Sequence, residues 1–120
     1  MEKSVLGKIG EDLVADYVRE KGMLVFRRNY RTKFGEIDVI AEDDTHIIFI
    51  EVKTRDENYM VSGAEAVDKA KQRRIRMSAA LFMQKLPVKM EPRFDVAEVT
   101  VKTYDCGKKG YSLNYIEDAF

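Results

Sequence analysis

Little in this sequence could cross-link the chain or carry it through a bilayer. There is one cysteine, Cys106, which excludes an intramolecular disulfide, and it lies in an Asp-Cys-Gly stretch rather than in a metal-ligand spacing such as CxxC. No run approaches the roughly 20 apolar residues that a membrane span requires. The start, Met1-Glu2-Lys3-Ser4, leads into an amphipathic pattern rather than a signal-peptide apolar stretch, so the chain reads as cytoplasmic. Only two prolines occur, Pro87 and Pro92, and they bracket one short loop. No repeat, low-complexity tract or Pro/Gly/Ser-rich linker divides the sequence, which predicts a single domain over residues 1–120. Net charge is lacking as well: 21 basic and 21 acidic residues cancel, so the overall balance gives no warrant for a nucleic-acid partner.

What is present describes a folded α/β protein. A hydrophobic fraction of 45% with 35% charged residues excludes wholesale disorder. A chain of this size buries roughly two-thirds of the surface its unfolded form exposes, enough for one core. From Ser4 to Lys21, Leu6, Ile9, Leu13 and Tyr17 recur at helical spacing, and Gly22 follows as a stop signal. Three runs rich in β-formers come next, Met23 to Tyr30, Glu36 to Ala41 and His46 to Thr54, with connections short enough to imply antiparallel neighbours. A polar loop then leads to a second helix, Ala64 to Leu86, with Ile75, Ala79, Phe82 and Leu86 on one face. Phe94 to Val101 reads as a fourth strand and Tyr111 to Ile116 as a weaker fifth. Strand, long helix and strand in succession suggest a crossover, so the third and fourth strands are expected to be parallel. The order α-β-β-β-α-β-β describes a mixed sheet flanked by helices.

The third run, His46 to Thr54, is apolar on both faces until Glu51 and Lys53 appear. Residues two apart in a strand point the same way, so this pair shares a face with Ile47 and Phe49. Charges on a covered face cost several kcal/mol unless each is paired or bound to a metal. The preceding run offers a partner: alternation puts Glu36 and Asp38 on one face, opposite Ile37 and Val39, and a hairpin would bring Asp38 near Glu51. Two carboxylates held together repel, and a hard cation such as Mg²⁺ or Mn²⁺ relieves the repulsion by taking oxygen ligands from both. A lysine beside such a cation can orient a water and stabilise charge on a phosphate, a combination suited to phosphodiester hydrolysis.

Asp38, a gap of twelve residues and then Glu51-Val52-Lys53 resemble the PD-(D/E)XK signature of restriction-endonuclease-like nucleases, with Ile37 standing where that signature usually has proline. More closely, Gly10-Glu11, Arg28-Asn29-Tyr30, Phe34-Gly-Glu-Ile-Asp38, Phe49-Ile-Glu-Val-Lys-Thr-Arg55, Ala64-Glu-Ala-Val67, Lys71-Gln72, Arg93-Phe-Asp-Val96 and the ending Ile116-Glu-Asp-Ala-Phe120 resemble the YraN-like family of small bacterial proteins. That resemblance spans nearly the whole chain and implies the nuclease fold, with similarity to archaeal Holliday-junction resolvases. It further implies that Asp38 and Glu51 are metal ligands, that the Val52 carbonyl adds a third, that Lys53 is catalytic, and that Glu11 is the N-terminal acidic residue of resolvase-like sites. Arg76 stands where a Gln-xxx-Tyr addition beginning at Gln72 would need tyrosine, so that branch is not supported.

Each assignment has a plainer counterpart. Glu51 and Lys53 can form a structural ion pair, Glu36 can pair with a nearby arginine, and Glu11 can be an ordinary exposed helix residue. Gly7 and Gly10 would let the first helix approach the sheet closely, bringing Glu11 within reach of the site. Basic residues cluster in two acid-free tracks: Arg27, Arg28, Arg31 and Lys33, then Lys69, Lys71, Arg73, Arg74 and Arg76. Either track can be a solvated face or a contact surface for DNA phosphates, with Tyr30 or Tyr59 available to stack on an unpaired base. Asp95, in Arg93-Phe-Asp-Val96, is expected to cap or brace the sheet through an arginine. The leading expectation is a Mg²⁺- or Mn²⁺-dependent endonuclease acting on DNA; the resemblance to resolvases alone adds branched DNA as substrate and a two-fold homodimer. The alternatives are a non-catalytic nucleic-acid-binding module and a protein-interaction domain on the same fold.

Overall fold

The computed structural model describes residues 2–57 and 67–120. Helix α1 (Lys3–Glu20) is followed by strands β1 (Leu24–Thr32), β2 (Gly35–Glu42) and β3 (His46–Asp56), then helix α2 (Lys69–Met83) and strands β4 (Glu91–Thr103) and β5 (Lys109–Ile116). One five-stranded sheet runs in the order β1-β2-β3-β4-β5. Its β3–β4 pair is parallel and the other three pairs are antiparallel, as a crossover through α2 requires. This is the α/β architecture that the sequence pattern and the nuclease-fold resemblance both call for.

The two helices cover opposite faces. On one side Val14 and Val18 of α1 pack on Val39, Ala41, Ile48, Ile50, Ala97 and Val99. On the other, Ile75, Ala79 and Phe82 of α2 pack on Tyr30, Ile37, Ile40, Ile47, Phe49, Phe94 and Val96. Burial on both faces explains why β3 shows no polar alternation before Glu51.

Several elements differ from the expectations. The buried residues of α1 are Gly10, Val14, Ala15 and Val18, with Leu6 and Ile9 only half-buried. Small and β-branched residues face the sheet because the helix lies so close there that a Cβ on Gly10 would fall 1.8 Å from Thr54 Oγ1. Gly7 serves no such purpose, since a Cβ there would meet nothing within 4 Å. The helix ends as expected at Gly22, whose φ of 89° is left-handed. Its N–H donates to Arg19 and that of Met23 donates to Val18, the Schellman arrangement. Helix α2 begins later than expected, with Asp68 as N-cap accepting from the Lys71 N–H; the expected helical positions 64–66 and Tyr59 lie outside the described residues. Pro92 belongs to β4 rather than to a loop. Pairing with β5 starts only at Val96, so the missing N–H of Pro92 costs no bond on that side.

The buried Asp95 closes the C-terminal end of the fold. Arg93 donates to both of its carboxylate oxygens at 2.9 and 2.8 Å, Tyr115 Oη donates at 2.6 Å and the Asp118 N–H at 2.9 Å. Four donors satisfy a carboxylate that would otherwise be expensive to bury. The hydrogen bond to Asp95 holds the Arg93 guanidinium more firmly protonated than usual, and burial first, then Asp95, raises the Tyr115 phenol. The bracing role expected of Asp95 is the one observed.

Candidate metal centre

Strands β2 and β3 are paired from Glu42↔Ile47 to Val39↔Ile50 and no further. One step beyond that last pair stand Asp38 and Glu51. Asp38 Oδ2 enters the opening and accepts the Val52 N–H at 2.8 Å, replacing a ladder bond with a side-chain one. Val52 thus meets the site through its amide nitrogen.

A conformational irregularity sets Asp38 apart from its strand neighbours. Ile37 packs in the α2-side core and Val39 in the α1-side core, although residues two apart in a regular strand share a face. The same reversal occurs opposite, where Arg28 reaches Asp12 of α1 while Tyr30 packs on the α2 side. Between them Asn29 has a φ of 51°, the left-handed region that asparagine tolerates better than most residues. The uniform alternation expected for Glu36 to Val39 is therefore wrong. Both strands switch face at the Asn29–Asp38 step, and the switch releases Asp38 to point between the faces.

Three carboxylates meet at this step. One oxygen each from Glu11, Glu36 and Asp38 lies within 4.8 Å of the others. Asn29 Nδ2 donates to Glu11 Oε1 at 3.1 Å and to Glu36 Oε1 at 2.9 Å. The remaining contact of Glu36 is with Arg31 Nε at 3.0 Å, and Arg28 lies 3.7 Å from Glu11 while donating to Asp12 at 2.8 Å. The Arg28 bond holds Asp12 below its ordinary value. An open basin of about 570 Å³ adjoins the cluster, lined by Ser4, Gly7, Lys8, Glu11, Arg28, Asn29, Arg31 and Glu36.

Glu51, 5% exposed, stands on the α2 side and touches Lys71 Nζ. Lys71 precedes Ile75 by one helical turn and so continues the inward stripe of α2, a spacing visible in the sequence. Lys53 follows Glu51 on the same side of β3, half-buried and opposite Glu98 of β4. Asp38 carries the electrostatic signature of the site. Burial first, then the charge of Glu51, raises its carboxyl from 3.8 to about 8; Glu11 adds to the rise, and the Val52 N–H and Lys71 oppose it. Asp38 thus lies electrostatically between Glu51 on one side and Glu11 with Glu36 on the other.

The model of the uncharacterised protein family UPF0102 matches residues 10–99, which include every residue of this cluster. A UPF0102 protein of Clostridium botulinum (strain Loch Maree) is 41% identical over 117 residues, covering 96% of this chain and 93% of that protein. One from Dictyoglomus thermophilum is 40% identical over 123 residues, with both chains covered in full. The chain belongs to the UPF0102 family. This is the YraN family that the sequence motifs resemble.

The two basic tracks of this UPF0102 chain are used differently. Lys69, Arg73 and Arg74 are exposed on α2, whereas Lys71 is turned inward to Glu51 and Arg76 lies over the rings of Phe94 and Phe120. In β1, Arg28 and Arg31 are engaged by carboxylates, and the exposed Arg27 lies over the Tyr30 ring at 4.8 Å. Tyr30 is buried edge-on against Phe82, so it has no face free for a base. No helix among the described residues is long and apolar enough to cross a membrane.

Proposed function

We propose that this protein is a Mg²⁺- or Mn²⁺-dependent endonuclease that hydrolyses DNA phosphodiesters, with branched, Holliday-junction-like DNA as the substrate class suggested by family resemblance. The observation that carries the reading is the position of Asp38, half-buried with a carboxylate oxygen within 4.8 Å of those of Glu11 and Glu36, and its carboxyl raised to about 8 by burial and by Glu51. The donor set fits a hard divalent cation: the clustered side chains offer only carboxylate oxygens, and their mutual repulsion is what such an ion relieves. Asp38, Glu11 and Glu36, whose oxygens lie within 4.8 Å of one another, would hold it, with Glu51 and the Val52 carbonyl completing the protein's share. When bound, the ion supplies Lewis-acid polarisation of a phosphoryl oxygen.

The chain's own groups have definite tasks in that reaction. The Val52 N–H fixes Asp38 in one orientation. Lys53, beyond Glu51 on the same strand face, places a positive charge where a phosphate gains negative charge and orients the attacking water. Hydrolysis breaks one P–O bond and forms another from that water, and the departing oxygen leaves with a proton. The exposed cations Lys69, Arg73, Arg74 and Arg27 contact the DNA backbone without reading sequence. A two-fold homodimer would set two such sites on opposite strands of a junction.

The test is cleavage of linear, nicked, flapped and four-way-junction DNA in Mg²⁺ or Mn²⁺. Cutting by the wild type that disappears in Lys53→Ala and Asp38→Ala supports the reading; no cutting of any substrate with either metal refutes it. The Glu51–Lys71 contact favours a second reading, a non-catalytic nucleic-acid-binding module in which that pair is structural. Salt-sensitive DNA binding indifferent to Glu51→Ala and to metal would select it.

A further inference from the structure

We infer that Asn29 is a positioning residue of the carboxylate centre: its left-handed backbone makes the strand switch, and its side-chain amide holds Glu11 and Glu36 beside Asp38. The functional consequence rests on the metal-centre reading; the structural one does not. Glu11 comes from α1 and Glu36 from β2, so no shared backbone fixes their separation. The amide Nδ2 of Asn29 lies 3.1 Å from one carboxylate and 2.9 Å from the other, and its two hydrogens suffice for both. A neutral donor suits this place. Arg31 and Arg28 already lie 3.0 and 3.7 Å from Glu36 and Glu11, and an amide orders the two carboxylates without adding a further positive charge to compete with a cation.

The backbone role is separable from the side-chain role. Arg28 and Tyr30 face opposite sides of the sheet, and Asn29, with φ of 51°, stands between them where the register runs from Arg28↔Val39 to Tyr30↔Ile37. Glycine adopts that conformation without strain, whereas alanine does not. Asn29→Gly therefore removes the bridge and keeps the switch, while Asn29→Ala removes both.

The experiment is a mutant cycle read by Mn²⁺ calorimetry and by thermal unfolding in EDTA. Asn29→Gly is expected to weaken Mn²⁺ binding about tenfold with its far-UV spectrum unchanged, and Asn29→Ala to lower Tm further. In a Glu11→Ala/Glu36→Ala background, which removes both acceptors, the Asn29→Gly change should add less than twofold, because the amide acts through those two carboxylates. An effect of equal size in both backgrounds overturns the proposal. If the wild type binds no Mn²⁺, the metal reading fails, and the cycle in Tm then decides the positioning claim by itself. There, a loss on Asn29→Gly that falls by more than half in the double-alanine background supports it, and additive losses overturn it.

Discussion

Replacing Asp38 by asparagine should make the protein more stable at pH 8 in EDTA, and progressively less so as the pH is lowered. Asparagine keeps an oxygen to accept the Val52 N–H, so the substitution removes charge with little change of shape. The folded-state carboxyl titrates at about 8 and the ordinary value is 3.8. Between those limits the folded protein binds more protons than the unfolded chain, so wild-type stability falls as pH rises from about 4 to about 8. At about 1.4 kcal/mol per pH unit the interval sets a ceiling of about 6 kcal/mol, and relaxation with water entry brings the expected difference to about 2–4 kcal/mol. Urea unfolding of wild type and Asp38→Asn at intervals from pH 4.5 to 8.5 measures it. The wild-type profile should slope downward and the variant's should be nearly flat across that range. Parallel profiles would refute the claim that Asp38 carries the strained charge.

Further substitutions test other parts of the structure. Gly10→Ala should cost about 1–3 kcal/mol in denaturant unfolding, since its Cβ would sit 1.8 Å from Thr54 Oγ1 and 3.0 Å from Thr54 Cβ; adding Thr54→Ala should recover most of that loss. Asp95→Ala strands the Arg93 guanidinium and removes the anchors of Tyr115 and Asp118, and should cost about 3–5 kcal/mol by the same assay. Alanine at Lys69, Arg73 and Arg74 together should lower DNA affinity uniformly across sequences and flatten the salt dependence by two to three phosphate contacts, about 0.9 per cation in log–log slope, read by fluorescence anisotropy.

Where side-chain periodicity is regular, the sequence was a sufficient guide. The parallel β3–β4 pair follows from strand, helix and strand in succession, and the stop at Gly22 follows from its place after the last apolar turn. The bracing role of Asp95 through an arginine was legible, and that arginine is Arg93, two residues before it on the same strand. Two further features were visible but unused: the i, i+4 relation of Lys71 to Ile75, which turns Lys71 toward Glu51, and Asp68 three residues before the Lys71 amide as a cap. The face switch at Asn29 and Asp38 was not legible. Alternation counted along Glu36 to Val39 assumes a uniform pleat, and one asparagine in the left-handed region breaks it without changing any apolar position. The α1 stripe departs from the large side chains at helical spacing for a related reason: the closest approach of the helix to the sheet selects Gly10. Pro92 entered a strand because the β5 neighbour begins only at Val96, a fact of register and not of composition.

The most direct test of the account is Mn²⁺ or Mg²⁺ binding by calorimetry to wild type and Asp38→Ala, alone and with a non-cleavable four-way DNA junction. The wild type is expected to give a metal-binding isotherm that is strengthened by the junction and lost in Asp38→Ala. If neither protein takes up metal even with the junction bound, the carboxylate cluster is structural and the nuclease reading is wrong.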